Sequence, residues 1–129
     1  MKITRFYASS AQVSVFEEIE IAFPEAVTNA GDTFLRSRPF EPSAIFADLP
    51  VGLNQDWHTA PDRQLVVVMS GRLEVEIGNG EKRQWGRGEM FMADDTTGQG
   101  HRTRVLEGPV RLLFLRVGEN FDVATWAGC

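Results

Sequence analysis

His58 and His101 are the only two histidines in this chain of 129 residues, and each stands where an imidazole could be put to chemical use. His58 lies in Trp57-His58-Thr59-Ala60-Pro61-Asp62-Arg63-Gln64, just ahead of an apolar run. His101 follows the polar stretch Asp94-Asp95-Thr96-Thr97-Gly98-Gln99-Gly100. An imidazole can ligate a metal through a neutral nitrogen, or act as general acid or base near neutral pH. It can equally be a polar lining group, kept neutral by burial and satisfied by Gln64, Thr103 or water. Gln64 brings an amide that could ligate a metal or hold a substrate as donor and acceptor. Trp57 and Phe91 could wall a pocket or be plain core. Asp94 and Asp95 either cap their own turn or touch a substrate beside His101. Arg63 is placed to receive an anion or to stay on the surface. Arg102 and Arg104 read as a solvated face paired across strands with acidic neighbours.

The elements that must position these groups read as strands. Gln64 to Met69 is almost wholly apolar and rich in β-branched residues, the pattern of a strand buried on both faces. Ser70-Gly71 reads as a turn. Arg72 to Ile77 then alternates, with Leu73, Val75 and Ile77 facing in and Glu74 and Glu76 facing water. Gly78-Asn79-Gly80 is a turn, Lys82 to Trp85 a strand, Gly86-Arg87-Gly88 another turn, and Glu89 to Ala93 a short apolar strand. From His101 to Leu106 the chain alternates again, with His101, Thr103 and Val105 on one face. Pro109 to Val117 is the last strong strand. Ile3 to Ala8, Val15 to Phe23, Ala44 to Ala47 and Leu53 to His58 are further strand candidates. Residues 24–43, with Pro24, Gly31, Pro39 and Pro42, read as a long irregular connection holding at most one short helix. Many short antiparallel strands and little helix predict an all-β barrel or jelly roll.

The spacing is more specific than the pattern. Gly52, His58, Ala60, Gln64 and Gly71 stand in a frame that resembles the first motif of the cupin superfamily, G-x5-H-x-H-x3-E-x6-G. Gly98-x2-His101 is similar to the end of the second, G-x5-P-x-G-x2-H-x3-N. The motifs span residues 52–105, and strand patterning extends the likeness over residues 44–117. The resemblance implies a small single-domain cupin over residues 1–129. It also implies a divalent ion, zinc, iron, manganese or nickel, held between the motifs. Here His58 and His101 match the ligand positions, but Ala60 replaces a histidine and Gln64 a glutamate. Thr96 stands for the proline and Val105 for the asparagine, and Gly88 is two residues out of the usual register. Two imidazoles and one amide would hold a cation weakly, without an anionic ligand. A weak metal site of His58, Gln64 and His101 and a metal-free site with His58 and His101 as proton carriers are equally open. Substrate contacts would come from Gln64, Trp57, Phe91, Thr103 and Asp94. The resemblance further implies a homodimer, with residues 1–23 as edge strands or as the contact. Phe6, Tyr7, Val13, Val15, Phe16 and Ile19 supply the apolar surface for it.

Composition narrows the function classes. Hydrophobic residues are 43% and charged residues 24%, an ordinary globular balance. Net charge is −5 with thirteen basic residues, so no footprint for nucleic acid is present. One cysteine, Cys129, allows no intrachain disulfide. No apolar leader follows Met1, and no run reaches the ~18 residues of a membrane span. The expectation is a soluble cytoplasmic protein that binds a polar small molecule. It would be either a dioxygenase-, isomerase- or lyase-like enzyme, a non-catalytic metabolite binder, or a filled barrel with an interaction role.

Overall fold

The computed structural model describes residues 1–128, so Cys129 and the reading that rests on it lie outside the described residues. Nine strands and one short helix follow in chain order. They are β1 (Lys2–Ala8), β2 (Ser14–Glu20), β3 (Glu25–Asn29), β4 (Asp32–Arg36), β5 (Ser43–Leu49), β6 (Gln64–Ile77), β7 (Lys82–Gly86), β8 (Met90–Asp94), β9 (His101–Arg116) and α1 (Val123–Trp126). The main sheet runs β2-β1-β8-β6-β9-β5, with β7 joined to β6 off that path. All pairs in it are antiparallel except β1 with β8. The protein is therefore all-β, as its strand patterning predicts, although among the described residues no strand pairing closes the sheet into a ring.

The two long strands β6 and β9 form its spine. Their register runs from Gln64 opposite Arg116 to Ile77 opposite His101. Ser70-Gly71 is not the turn expected from sequence. It is a bulge inside β6, with register shifts around Ser70 and Arg72. Glycine serves a bulge as well as a turn, since both need a positive φ, and Gly71 has φ 80°. A Cβ there would meet the carbonyls of Glu107 and Pro109 at 2.6 and 2.7 Å, so β9 passes too close for a side chain. The bulge lets β6 pair first with β8 and then, past the bend, with β7. Likewise His101 to Leu106 and Pro109 to Val117 are halves of the single strand β9.

Alternation on these strands builds two apolar clusters. Val66, Val68, Leu73, Val75, Phe91 and Leu112 are buried in the larger one, together with Phe6 and Trp85. On the other face of the first half of β6, Leu65 and Met92 meet Ile3, Ile19 and Trp126. The carboxy-terminal turn thus covers the outside of the sheet, which is why Gln64–Met69 reads as buried on both sides. Burying one such side chain contributes about 1.5–3 kcal/mol. Phe6 and Ile19, offered above as dimer surface, lie in the chain's own core. The large exposed apolar residues include Leu35 on β4 and Phe46 on β5.

Two other expectations are corrected. Residues 24–43 hold the β3–β4 hairpin and no helix. Its loop, Ala30-Gly31, has φ 50° and 87°, the two positive values of a tight hairpin turn. Alanine seldom takes that conformation, so the usual Asn-Gly signal is absent. Leu53 to His58 forms no strand. It runs beside β9 with isolated bridges, Asn54 to Arg104 and His58 to His101. Among the described residues no helix is long and apolar enough to cross a membrane.

Candidate functional site

The segment 53–60 is laid along the first half of β9 by backbone hydrogen bonds. Val105 N–H donates to Leu53 O at 2.9 Å and Gln55 N–H to Thr103 O at 2.8 Å. His58 and His101 exchange both of theirs, at 3.0 and 2.8 Å, and Ala60 N–H donates to Asp95 O at 3.0 Å. Gly100 permits this approach. It has φ 80°, and any Cβ on it would overlap the His58 carbonyl.

The consequence is that two imidazoles 43 positions apart in sequence (101 − 58) meet, with ring centroids 4.4 Å apart and planes at 56°. They line a cavity of about 400 Å³ between the two halves of the sheet. Gln64 and Thr103 line it too, and so does Phe91, stacked between Phe6 and Trp85. The remaining wall is mostly apolar, from Leu49, Val66, Leu73, Ala93, Leu112 and Phe114. That volume and composition suit a small organic ligand.

The motif frames therefore do what their spacing suggests: β6 and β9 run side by side and bring His58, Gln64 and His101 to one cavity. In these motif frames the all-β arrangement resembles that of the cupins. No family model and no curated protein matches the chain. Solved structures similar to it include a protein of unknown function from Rhizobium leguminosarum, 20% identical over 59% of this chain and 69% of that one, with TM-score 0.51. The cupin domain of Schizosaccharomyces pombe Cnp3 is 11% identical, over 92% of this chain and 84% of that one, with TM-score 0.49. A cupin described as RmlC-like, from Shewanella frigidimarina, is 16% identical, over 88% of this chain and 92% of that one, with TM-score 0.47.

At this cavity each histidine is held by its Nδ1. In His58, Nδ1 lies 2.7 Å from Asp56 O. In His101, Nδ1 lies 2.7 Å from Asp95 Oδ2. Carbonyl and carboxylate oxygens only accept, so each Nδ1 carries the hydrogen and each Nε2 keeps its lone pair in the neutral ring. His101 is buried and His58 half-buried.

Asp95 is the residue whose place the sequence did not disclose. Read as capping its own turn or touching a substrate, it is instead fully buried behind His101, away from solvent. Ser14, from β2, donates to the same Oδ2 at 2.8 Å. The signal available was a carboxylate six residues ahead of a histidine with Gly98 and Gly100 between, enough for a loop that doubles back. Nothing local pointed to Ser14.

Three other candidates stand away from the cavity. Asp94 is clamped between Arg5 Nε at 2.8 Å and Arg63 Nε at 2.6 Å, with its side chain 3% exposed. Arg63 also donates to the carbonyls of Glu119 and Phe121, tying down the carboxy-terminal segment. Trp57 lies under the Arg102 guanidinium, 5.7 Å from it. Arg102 and Arg104 pair across the strands with Glu76 and Glu74, as expected for an outer face. Glu74, expected in water, is largely covered.

A divalent ion fits these donors poorly. Ala60 offers nothing, Gln64 offers a neutral amide, and the carboxylate of Asp95 is engaged by His101 and Ser14. No group of three histidine, cysteine or acidic residues able to hold a metal occurs among the described residues. The two imidazoles stand on the wall of a mostly apolar cavity.

Proposed function

We propose that this protein binds a small organic molecule with an apolar body and a polar head, and that its paired imidazoles move a proton on that head. The reading is carried by one observation: His58 and His101 stand ring to ring at 4.4 Å on the wall of a 400 Å³ cavity. An apolar wall accepts a hydrocarbon body, and the polar groups at His58, Gln64, His101 and Thr103 orient a carbonyl or carboxyl end. Fixed imidazoles with free Nε2 atoms are suited to proton abstraction and return, the chemistry of an isomerase or lyase. Dioxygenase-like chemistry finds no adequate metal ligands here. The size of the cavity speaks against a barrel filled by its own side chains.

A thermal-shift screen of organic acids and carbonyl compounds tests this. A ligand at ~100 times its dissociation constant raises stability by roughly 2.7 kcal/mol. The proposal expects a hit whose shift disappears in His58→Ala and His101→Ala, and whose turnover is seen as deuterium uptake or isomer formation. Hits that bind both variants as tightly as the native protein would overturn it, and a hit that binds but never turns over would reduce it to a binding module.

A further inference from the structure

The two imidazoles are alike in how they are held and unlike in what holds them. Behind His58 is a neutral backbone carbonyl, Asp56 O. Behind His101 is the carboxylate of Asp95, with no exposure to solvent. When an Nε2 takes a proton its ring becomes a cation. An anion at Nδ1 stabilises that cation far better than a dipole does, and burial leaves the attraction unscreened. Building on the proton-transfer reading above, we infer that Asp95 is a positioning residue that makes His101 the proton acceptor of the pair.

Three further features support this assignment. Ser14 Oγ donates to the same Oδ2 that His101 uses, so β2 and β9 together fix that oxygen. Asp95 Oδ1 is buried without a hydrogen-bond partner among the described residues. A buried polar atom left without a protein partner calls for an explanation, and a role in the chemistry of the site is one. Phe6 meets the His101 ring edge-on at 4.9 Å, which resists a flip that would exchange its nitrogens.

The step balances simply. The Nε2 lone pair of His101 takes a proton from an acidic O–H or C–H of the ligand, and the electron pair of that bond stays on the ligand. Asp95 remains ionised and faces the new imidazolium through Nδ1–H. Returning the proton restores the neutral ring.

The test reads the tautomer directly. Long-range proton–nitrogen NMR on histidine-labelled protein shows only two rings, because the chain has two histidines. Above the imidazole titration range, native His101 is expected as the Nδ1–H form. Asp95→Ala removes the acceptor at Nδ1, whereas an asparagine oxygen in the place of Oδ2 could still accept from both Ser14 and Nδ1–H. In Asp95→Ala, His101 shifts toward Nε2–H by roughly tenfold or more, the scale of a lost charge-assisted bond, while His58 stays as it was. An unchanged His58 spectrum shows that the variant is folded. An Nε2–H form of His101 in the native protein overturns the inference without any variant. So does an Asp95→Ala spectrum with the native tautomer. For a compound found by the screen, turnover lost in His101→Ala but retained in Asp95→Ala removes the role of Asp95 and leaves the proton-transfer reading standing. The predicted tautomer change with no compound bound leaves His101 positioned as described and removes that reading, and with it the inference that this nitrogen accepts a substrate proton.

Discussion

Replacing Gly100 by alanine probes the contact on which the site depends. Two costs can be separated. Gly100 has φ 80°, and a left-handed conformation costs a residue with a Cβ about 1–2 kcal/mol. The new methyl would also overlap the His58 carbonyl, forcing apart the two backbone hydrogen bonds of 3.0 and 2.8 Å between residues 58 and 101. Each such bond contributes about 0.5–1.5 kcal/mol, so the steric part adds about 1–3 kcal/mol. Gly80 and Gly88 supply the control, since they have φ 87° and 82° and nothing within 4 Å of an added Cβ. Gly80→Ala and Gly88→Ala should therefore cost only the conformational part. Urea titrations of the three variants give the comparison, and Gly100→Ala is expected to fall about 1–3 kcal/mol below the other two. In melting temperature that is roughly 4–12 °C for a domain of this size. If Gly100→Ala is no less stable than Gly80→Ala, segment 58–60 does not lie against β9 and the derivation of the site is wrong.

Other perturbations follow from the same structure. Trp126→Ala uncovers the outer face of the sheet at Leu65 and Met92 and should lose about 3–5 kcal/mol in chemical denaturation; a loss under about 1 kcal/mol would mean that the tail does not pack there. Arg63→Ala leaves Asp94 buried with only Arg5 to answer it, so about 2 kcal/mol should be lost, less than the 3–5 of a wholly unpaired buried charge; a neutral result would show that the clamp is absent. Asp122 caps α1, and its hydrogen bond with Thr125 lowers its pKa from the ordinary 3.8. Its ionised form therefore favours the folded chain above that value, and the benefit is lost as pH falls through the lower folded value. The stability gap between the native protein and Asp122→Ala should hold from neutral pH to about 4 and close below it; a gap that widens on acidification contradicts the sign.

The strands were legible wherever alternation or unbroken β-branching meets a buried face, as in Gln64 to Ile77 and His101 to Leu106. What escaped were features set by neighbours. Ser70-Gly71 has the composition of a turn, and only the continuous presence of β9 alongside makes it a bulge. Ala30-Gly31 lacks the residues usual in a tight hairpin, so β3 and β4 went unseen. In the site, His58, Gln64, His101, Phe91 and Thr103 were legible because motif spacing and strand parity put them on one side. Trp57 is turned out by the irregular course of residues 54–58. Asp94 is claimed by two arginines, one of them 89 positions away. Asp95 and Ser14 meet across 81 positions, a contact that no local pattern encodes.

The claim at the centre is that the imidazoles of residues 58 and 101 face each other inside the sheet. A nuclear Overhauser spectrum of the native protein tests it without any ligand, since ring protons of the only two histidines must report on each other. The structure, with centroids 4.4 Å apart, predicts a direct ring-to-ring cross-peak. Well-resolved histidine signals with no such cross-peak would contradict the site and the function built on it.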